Sequence, residues 1–130
     1  MKYMLMMNAT RKDWAGFGSL APEDIRAHVQ FMKTLNRDLQ ASGEFVDGQG
    51  LTGPEEAKIV RAKGVAGGPA ITDGPFAEAK EFLAGYWVLE CKSLERVIEI
   101  AQKISNAPGK GGAPLNIPVE LRPVGQAPDV

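Results

Sequence analysis

The run GYWVLEC at residues 85–91 is the strongest strand signal in this sequence, because aromatic and β-branched residues favour strands. The run SLERVIEIAQKI at residues 93–104 follows it and predicts a helix that Ser93 caps at its N-terminus. The apolar residues of this run recur at helical spacing and are expected to form one core-facing stripe, made of Leu94, Val97, Ile98, Ala101 and Ile104. A strand joined directly to an amphipathic helix indicates a mixed α+β fold.

A second helix is predicted to begin at Pro22 and to end near Gly43. Proline suits the first helical position, and glycine suits the left-handed position beyond a helix end. Its apolar stripe is expected to comprise Ile25, Val29, Met32, Leu35 and Leu39. His28 lies four residues before Met32, so its imidazole is expected on the same side as the stripe.

The other predicted elements are short. Strands are predicted at 2–8, 44–47, 58–63, 70–72 and 119–124, loops at 9–21 and 48–53, and one helical turn at 78–82. Apart from an inserted strand pair, the order is β-α-β-β-α-β, which is the ferredoxin-like pattern. Both helices would cover one face of the sheet. Since the apolar residues of the other face also need cover, the pattern predicts a homodimer that packs sheet against sheet.

Length and composition exclude several classes of protein. The 130 residues are enough for one domain, predicted at 1–124, with a flexible tail at 125–130. A net charge of -1 gives no reason to expect nucleic acid or an anionic membrane as a partner. One cysteine and one histidine nearly exclude a metal site built from nitrogen and sulfur ligands, and Cys91 is expected to be an ordinary strand residue. No signal peptide or membrane span is visible, so a cytoplasmic location is predicted.

The segment Gly48–Gly53 matches the glycine pattern of dinucleotide-binding proteins. That pattern works only after a central strand and at the start of a helix, within a larger parallel sheet. Here a long helix precedes it in a chain of one domain. We therefore interpret it as a glycine loop, and no cofactor is predicted.

Two polar residues are candidates for chemistry. His28 on an apolar helix face is either a core histidine bonded to a backbone carbonyl or a general base, which a carboxylate would orient. Asp73 begins the segment Asp73-Gly74-Pro75-Phe76, and an aspartate before Gly-Pro commonly caps a tight turn. Spacing along the chain does not decide whether the two side chains meet.

The sequence closely resembles the YCII-related proteins of the DGPF subgroup. The resemblance is carried by DGPFAEAKE at 73–81, GYW at 85–87 and VELRPV at 119–124, and the opening MKYML and the segment 41–51 fit the same pattern. It covers nearly the whole chain. It implies a ferredoxin-like α+β fold that forms a dimeric α+β barrel from the sheets of two subunits.

For function, the resemblance implies a His-Asp pair in a cleft, as in a small lyase or isomerase acting on a cyclic or carbonyl substrate. His28 and Asp73 match those positions, with His28 as general base and Asp73 orienting the imidazole. Phe76 and Trp87 are expected to form apolar pocket wall for a small-molecule substrate. The alternative is a non-catalytic dimer that binds a small molecule or acts in regulation, associated with an extracytoplasmic-function sigma factor. The sequence leaves open whether the protein is an enzyme.

Overall fold

A computed structural model describes residues 1–64, 67–76 and 79–129. Within these ranges, the chain forms six strands and three α-helices. In chain order they are β1 (Lys2–Thr10), α1 (Arg11–Gly18), α2 (Pro22–Ala41), β2 (Phe45–Gly50), β3 (Lys58–Arg61), β4 (Ala70–Asp73), β5 (Glu81–Glu90), α3 (Leu94–Ser105) and β6 (Val119–Pro123). None of these helices is both long enough and apolar enough to cross a membrane.

Four strands form one antiparallel sheet in the order β2-β5-β1-β6. The predicted mixed α+β fold is confirmed, and this topology is compatible with the ferredoxin-like pattern. Among the described strands, β3 and β4 pair only with each other, as a separate hairpin that we call the β3–β4 arm. A single chain forms an open sheet rather than a closed barrel.

The core lies between one face of the sheet and the two long helices, α2 and α3. In β5, alternate residues are buried, because neighbouring side chains of a strand point to opposite faces. Trp87 and Leu89 face the helices, whereas Tyr86 and Val88 lie on the open face. The largest fully buried side chains are Leu5, Leu89, Val97, Ile100 and Ile104.

The buried face of α2 is largely the predicted apolar stripe. On α3 the buried face is rotated about the helix axis relative to the predicted stripe. Leu35 and Leu39 are buried, whereas Val29 is exposed. On α3, Leu94 and Ile98 are exposed and the prediction for them is wrong, because Ile100 packs into the core with Val97, Ala101 and Ile104. Both sets of residues satisfy helical spacing, and the position of the sheet selects between them.

The predicted loop at 9–21 is wrong, because β1 continues to Thr10 and residues 11–18 form α1. A capping box begins this helix. The Thr10 hydroxyl accepts a hydrogen bond from the Asp13 N–H at 3.1 Å, and the Asp13 carboxylate faces the Thr10 N–H at 3.5 Å. Gly16 and Gly18, which suggested a loop, lie late in the helix, where they do not prevent its start.

Two further boundaries differ from the predictions. Residues 48–50, predicted as loop, belong to the edge strand β2, which bulges between Phe45 and Asp47. Residues 81 and 82, predicted as the end of a helical turn, are instead the first residues of β5, where they pair with β1. The start of that turn at Glu78, and the last residue of the predicted tail, Val130, lie outside the described residues.

An ion pair joins the start of β2 to α3. The Arg96 guanidinium donates two hydrogen bonds of 2.8 Å to the two carboxylate oxygens of Glu44. These bonds hold the pKa of Glu44 at about 2, below its ordinary value of 4.5. Cys91, predicted as an ordinary strand residue, directly follows the last residue of β5 and is buried, and burial raises the pKa of its thiol. A raised pKa disfavours the reactive thiolate.

Candidate functional site

A cavity of about 400 Å³ lies between the helices and one end of the sheet. Its walls come from α1, α2, the last residues of β1 and β2, the middle of β5 and the segment before β6. A cavity of this size falls within the range that binds small molecules in proteins, roughly 300–1,000 Å³.

Aromatic side chains form much of the wall. Trp14 and Phe17 are three residues apart on α1, so both reach the cavity from one side of that helix. Trp87 contributes from β5, where it was predicted to line a pocket. Phe17 packs edge to face against the imidazole of His28, with ring centroids 4.7 Å apart. The arrangement suits a flat, apolar ligand, which aromatic walls contact over a large area.

Glycines keep the sheet side of the cavity open. A Cβ atom at Gly48 would lie 3.1 Å from the Trp87 ring, and one at Gly85 would lie 3.1 Å from the Gln49 carbonyl oxygen. A larger residue at either position would therefore displace the cavity wall. The glycines of 48–50, which resemble a nucleotide loop in the sequence, are here part of the strand β2, and of the two only Gly48 would bring a Cβ atom against close neighbours.

His28 borders the cavity from α2 and is bonded through one ring nitrogen. Its Nδ1 lies 3.1 Å from the carbonyl oxygen of Pro108. A carbonyl only accepts, so Nδ1 carries the proton, and in the neutral ring Nε2 carries the lone pair. Burial lowers the pKa of His28 below 6.5, and the bond to Pro108 offsets this only in part. The imidazole is therefore neutral at pH 7 and held in one tautomer.

Asn36 is a site residue that sequence reasoning missed. It borders the cavity from α2, and its Oδ1 accepts a hydrogen bond of 2.8 Å from the Trp87 indole N–H. His28, Met32 and Asn36 are spaced by four residues and share one helix face, and this spacing could have identified the amide. Trp14 and Phe17 were missed because their helix was predicted as loop. The Thr10–Asp13 capping box was the signal for it.

The structure does not bring Asp73 and His28 together within one chain. Asp73 ends β4 on the β3–β4 arm, where its carboxylate accepts a 2.5 Å hydrogen bond from the Lys58 ammonium and is 82% exposed. This bond lowers the pKa of Asp73. Phe76 is 53% exposed and does not border the cavity. The His28–Asp73 pair and the binding role of Phe76 therefore stay predictions.

The described residues contain no group of three or more His, Cys, Asp or Glu side chains arranged to hold a metal ion. The residues with polar side-chain groups that border the cavity are instead His28, Asn36, Gln49, Tyr86 and the two tryptophans. The chemistry that this arrangement can perform is binding of a small molecule and proton transfer at His28.

The fold and the cavity together define a small α+β protein with a ligand-sized site between its helices and its sheet. The chain belongs to the YCII-related domain family, whose model matches residues 1–113. It is also 38% identical over 63 residues to "Uncharacterized protein R00369" of Rhizobium meliloti (strain 1021). That match covers 48% of this chain and 51% of the relative, so the chain spans about half the length of the curated relative that it matches.

Proposed function

We propose that this protein binds a small ring compound in the cavity and that His28 removes a proton from it, as in a small lyase or isomerase. The observation that carries the proposal is the hydrogen bond of 3.1 Å between Nδ1 of His28 and the Pro108 carbonyl, at the wall of an apolar cavity. It leaves Nε2 of a neutral imidazole as the proton acceptor. A general base must be unprotonated at the working pH, and the lowered pKa of His28 meets this requirement.

In this proposal the Pro108 carbonyl orients the imidazole, which is the role that the sequence predicts for Asp73. With Nδ1 already engaged, a carboxylate could reach only Nε2, where it would stabilise the protonated ring and occupy the basic atom. Asp73 would have to come from a second copy, because in its own chain it is bonded to Lys58. The exposure of Val60 and Ile71 on the same arm, 65% and 66%, favours contact between that arm and another surface.

The first test is an NMR pH titration of the imidazole in wild type and in Asp73→Asn. His28 is the single histidine of the chain, so its signal needs no assignment. We expect a pKa below 6.5 in both proteins, since burial sets the direction of the shift. A wild-type pKa above 6.5 that falls in Asp73→Asn would contradict this proposal and would show the predicted His28–Asp73 pair.

We also propose that the protein is a homodimer that packs through the open face of the sheet. Both long helices pack on the opposite face, and Met4, Met6, Tyr86 and Val88 are only half-buried on the open one. Cross-strand pairs Met4–Val88 and Met6–Tyr86 place these residues side by side at the centre of the sheet. A second copy would cover this apolar centre and would form the barrel that the family resemblance implies.

Val88→Lys should dissociate this dimer. A lysine there would bury an unpaired charge between two sheets, and we expect the dimer dissociation constant to rise by at least about tenfold, or 1.4 kcal/mol. Sedimentation equilibrium measures the effect. Ile98→Lys makes the same change of residue class at an exposed position on α3, outside the proposed interface. A wild-type monomer, or equal effects of both variants, would refute the sheet-to-sheet interface.

The regulatory alternative uses the same cavity without turnover. It would be favoured if the wild type bound ring compounds but transferred no proton from any of them. Recovery of a sigma factor in stoichiometric amount with the tagged protein would then support the association that the sequence resemblance implies.

A further inference from the structure

We propose that the cavity selects uncharged ring compounds and rejects ligands that carry a carboxylate, a phosphate or an ammonium group. The inference rests on the proposed function, because it names the class of compound that the same cavity takes. Among the described residues, no Lys, Arg, Asp or Glu side chain borders the cavity. The side-chain polar groups on the helix side of the sheet at this wall belong to His28 and Asn36 and to the indole of each tryptophan, whereas the side chains of Gln49 and Tyr86 lie on the open face.

An anionic ligand would meet no countercharge at this wall. Proteins hold carboxylates and phosphates with Arg, Lys or clusters of N–H donors, and Arg forms bidentate bonds to them. The neutral imidazole of His28 supplies no positive charge at pH 7. Moving an ionised group from water into an apolar site without a partner is strongly unfavourable.

The polar groups that remain fit a neutral ligand. Nε2 of His28 offers an acceptor, and since Oδ1 of Asn36 is bonded to Trp87, the Nδ2 amino group of Asn36 is the part left to donate. The two residues are eight positions apart on α2, which corresponds to about 12 Å along the helix axis. A ring compound that carries an amide group can donate to Nε2 of His28 or accept from Nδ2 of Asn36 while its rings contact the apolar wall. Lactones or acids that carry a free carboxylate fall outside the class.

Three compounds of nearly the same shape test the inference. 2-Naphthamide is neutral, 2-naphthoate is an anion and 2-naphthamidine is a cation at pH 7. Both tryptophans of the chain border the cavity, so the two indole N–H signals in a ¹H–¹⁵N spectrum report occupancy directly. We expect 2-naphthamide to shift these signals, and we expect Kd values at least tenfold higher for 2-naphthoate and for 2-naphthamidine.

A charge-introducing variant provides the converse result. Val29 is partly exposed and borders the cavity from α2, so Val29→Arg would place a cation at the mouth without filling the core. We expect it to lower the Kd for 2-naphthoate at least tenfold relative to Val29→Gln, which is similar in length and uncharged. Leu51 also borders the cavity and is partly exposed, so Leu51→Arg gives the same test if Val29→Arg does not fold.

The outcomes separate the two proposals. If 2-naphthoate binds wild type as tightly as 2-naphthamide does, the charge selection is wrong while the ligand cavity stands. If none of the three compounds, nor the smaller benzamide, shifts either indole signal, the ligand cavity itself fails and the selection fails with it.

Discussion

His28→Ala should lower kcat/KM by about 10²- to 10⁴-fold for a reaction that needs only a base in an apolar site. This factor is the usual contribution of general base catalysis. A suitable probe is 5-nitrobenzisoxazole, an uncharged bicyclic compound. Transfer of its C3 proton to a base breaks the N–O bond and releases 2-cyano-4-nitrophenolate, whose absorbance is measured. The chain contains one imidazole, so the variant removes all histidine catalysis at once.

The pH profile gives a second readout for the same reaction. Nε2 accepts a proton only from the neutral ring, and burial lowers the pKa of His28 below 6.5. We therefore expect kcat/KM to rise with pH through that pKa and to be constant from about pH 7 upward. Asp73→Asn should keep the wild-type rate, because the Pro108 carbonyl orients the ring. A rate in His28→Ala within threefold of wild type would remove His28 from the mechanism.

The second large effect is on stability, at the ion pair that joins β2 to α3. Arg96→Met would leave the Glu44 carboxylate, 15% exposed, without its bidentate partner. The pKa of Glu44 lies at about 2, compared with 4.5 for the ordinary group, and each pKa unit corresponds to about 1.4 kcal/mol. Because Arg96 is 35% exposed and water screens the pair, we expect unfolding free energy to fall by about 2 kcal/mol at pH 7.

Urea unfolding at several pH values measures this loss. The folded pKa of Glu44 is below the unfolded one, so the contribution of the pair is fully present above about pH 4.5 and is lost as the pH falls toward 2. Arg96→Met should therefore resemble wild type most closely at the acid end of this window. Glu99→Gln is the matched control, since Glu99 bonds the same guanidinium at the surface. We expect it to cost less than about 1 kcal/mol, and an equal effect of both variants would contradict the assignment.

Much of the fold could be predicted because its signals are local. The strand signal of residues 85–91 and the stripe of α2 are properties of neighbouring residues, and the stripe places Leu35 and Leu39 correctly in the core. The β3–β4 arm was also predicted as an inserted pair of strands. The helix α1 was not predicted, because the glycines at 16 and 18 indicate a loop, although the capping box of Thr10 and Asp13 is a local signal too.

The site depended on contacts that spacing cannot give. His28 could be placed on the cavity side of α2 from the helical period, but its partner is a carbonyl 80 positions away, and any residue can supply a backbone carbonyl. Helical spacing places Asn36 on the same face of α2 as His28, but its hydrogen bond to Trp87, 51 positions further along the chain, follows only from the tertiary structure. The face of α3 that packs into the core likewise depends on the sheet, because two overlapping sets of apolar residues on this helix fit the same helical period.

By itself, therefore, the sequence determined the class of fold, the order of its main elements and the side of α2 on which the imidazole lies, since periodicity and capping act within a few residues. Tertiary structure alone decided which groups meet. It paired His28 with Pro108 and Asp73 with Lys58, and it enclosed an uncharged cavity between α1, α2 and the sheet. These contacts join residues that are far apart in the chain, and only the packing of helices on a sheet brings them within hydrogen-bonding distance.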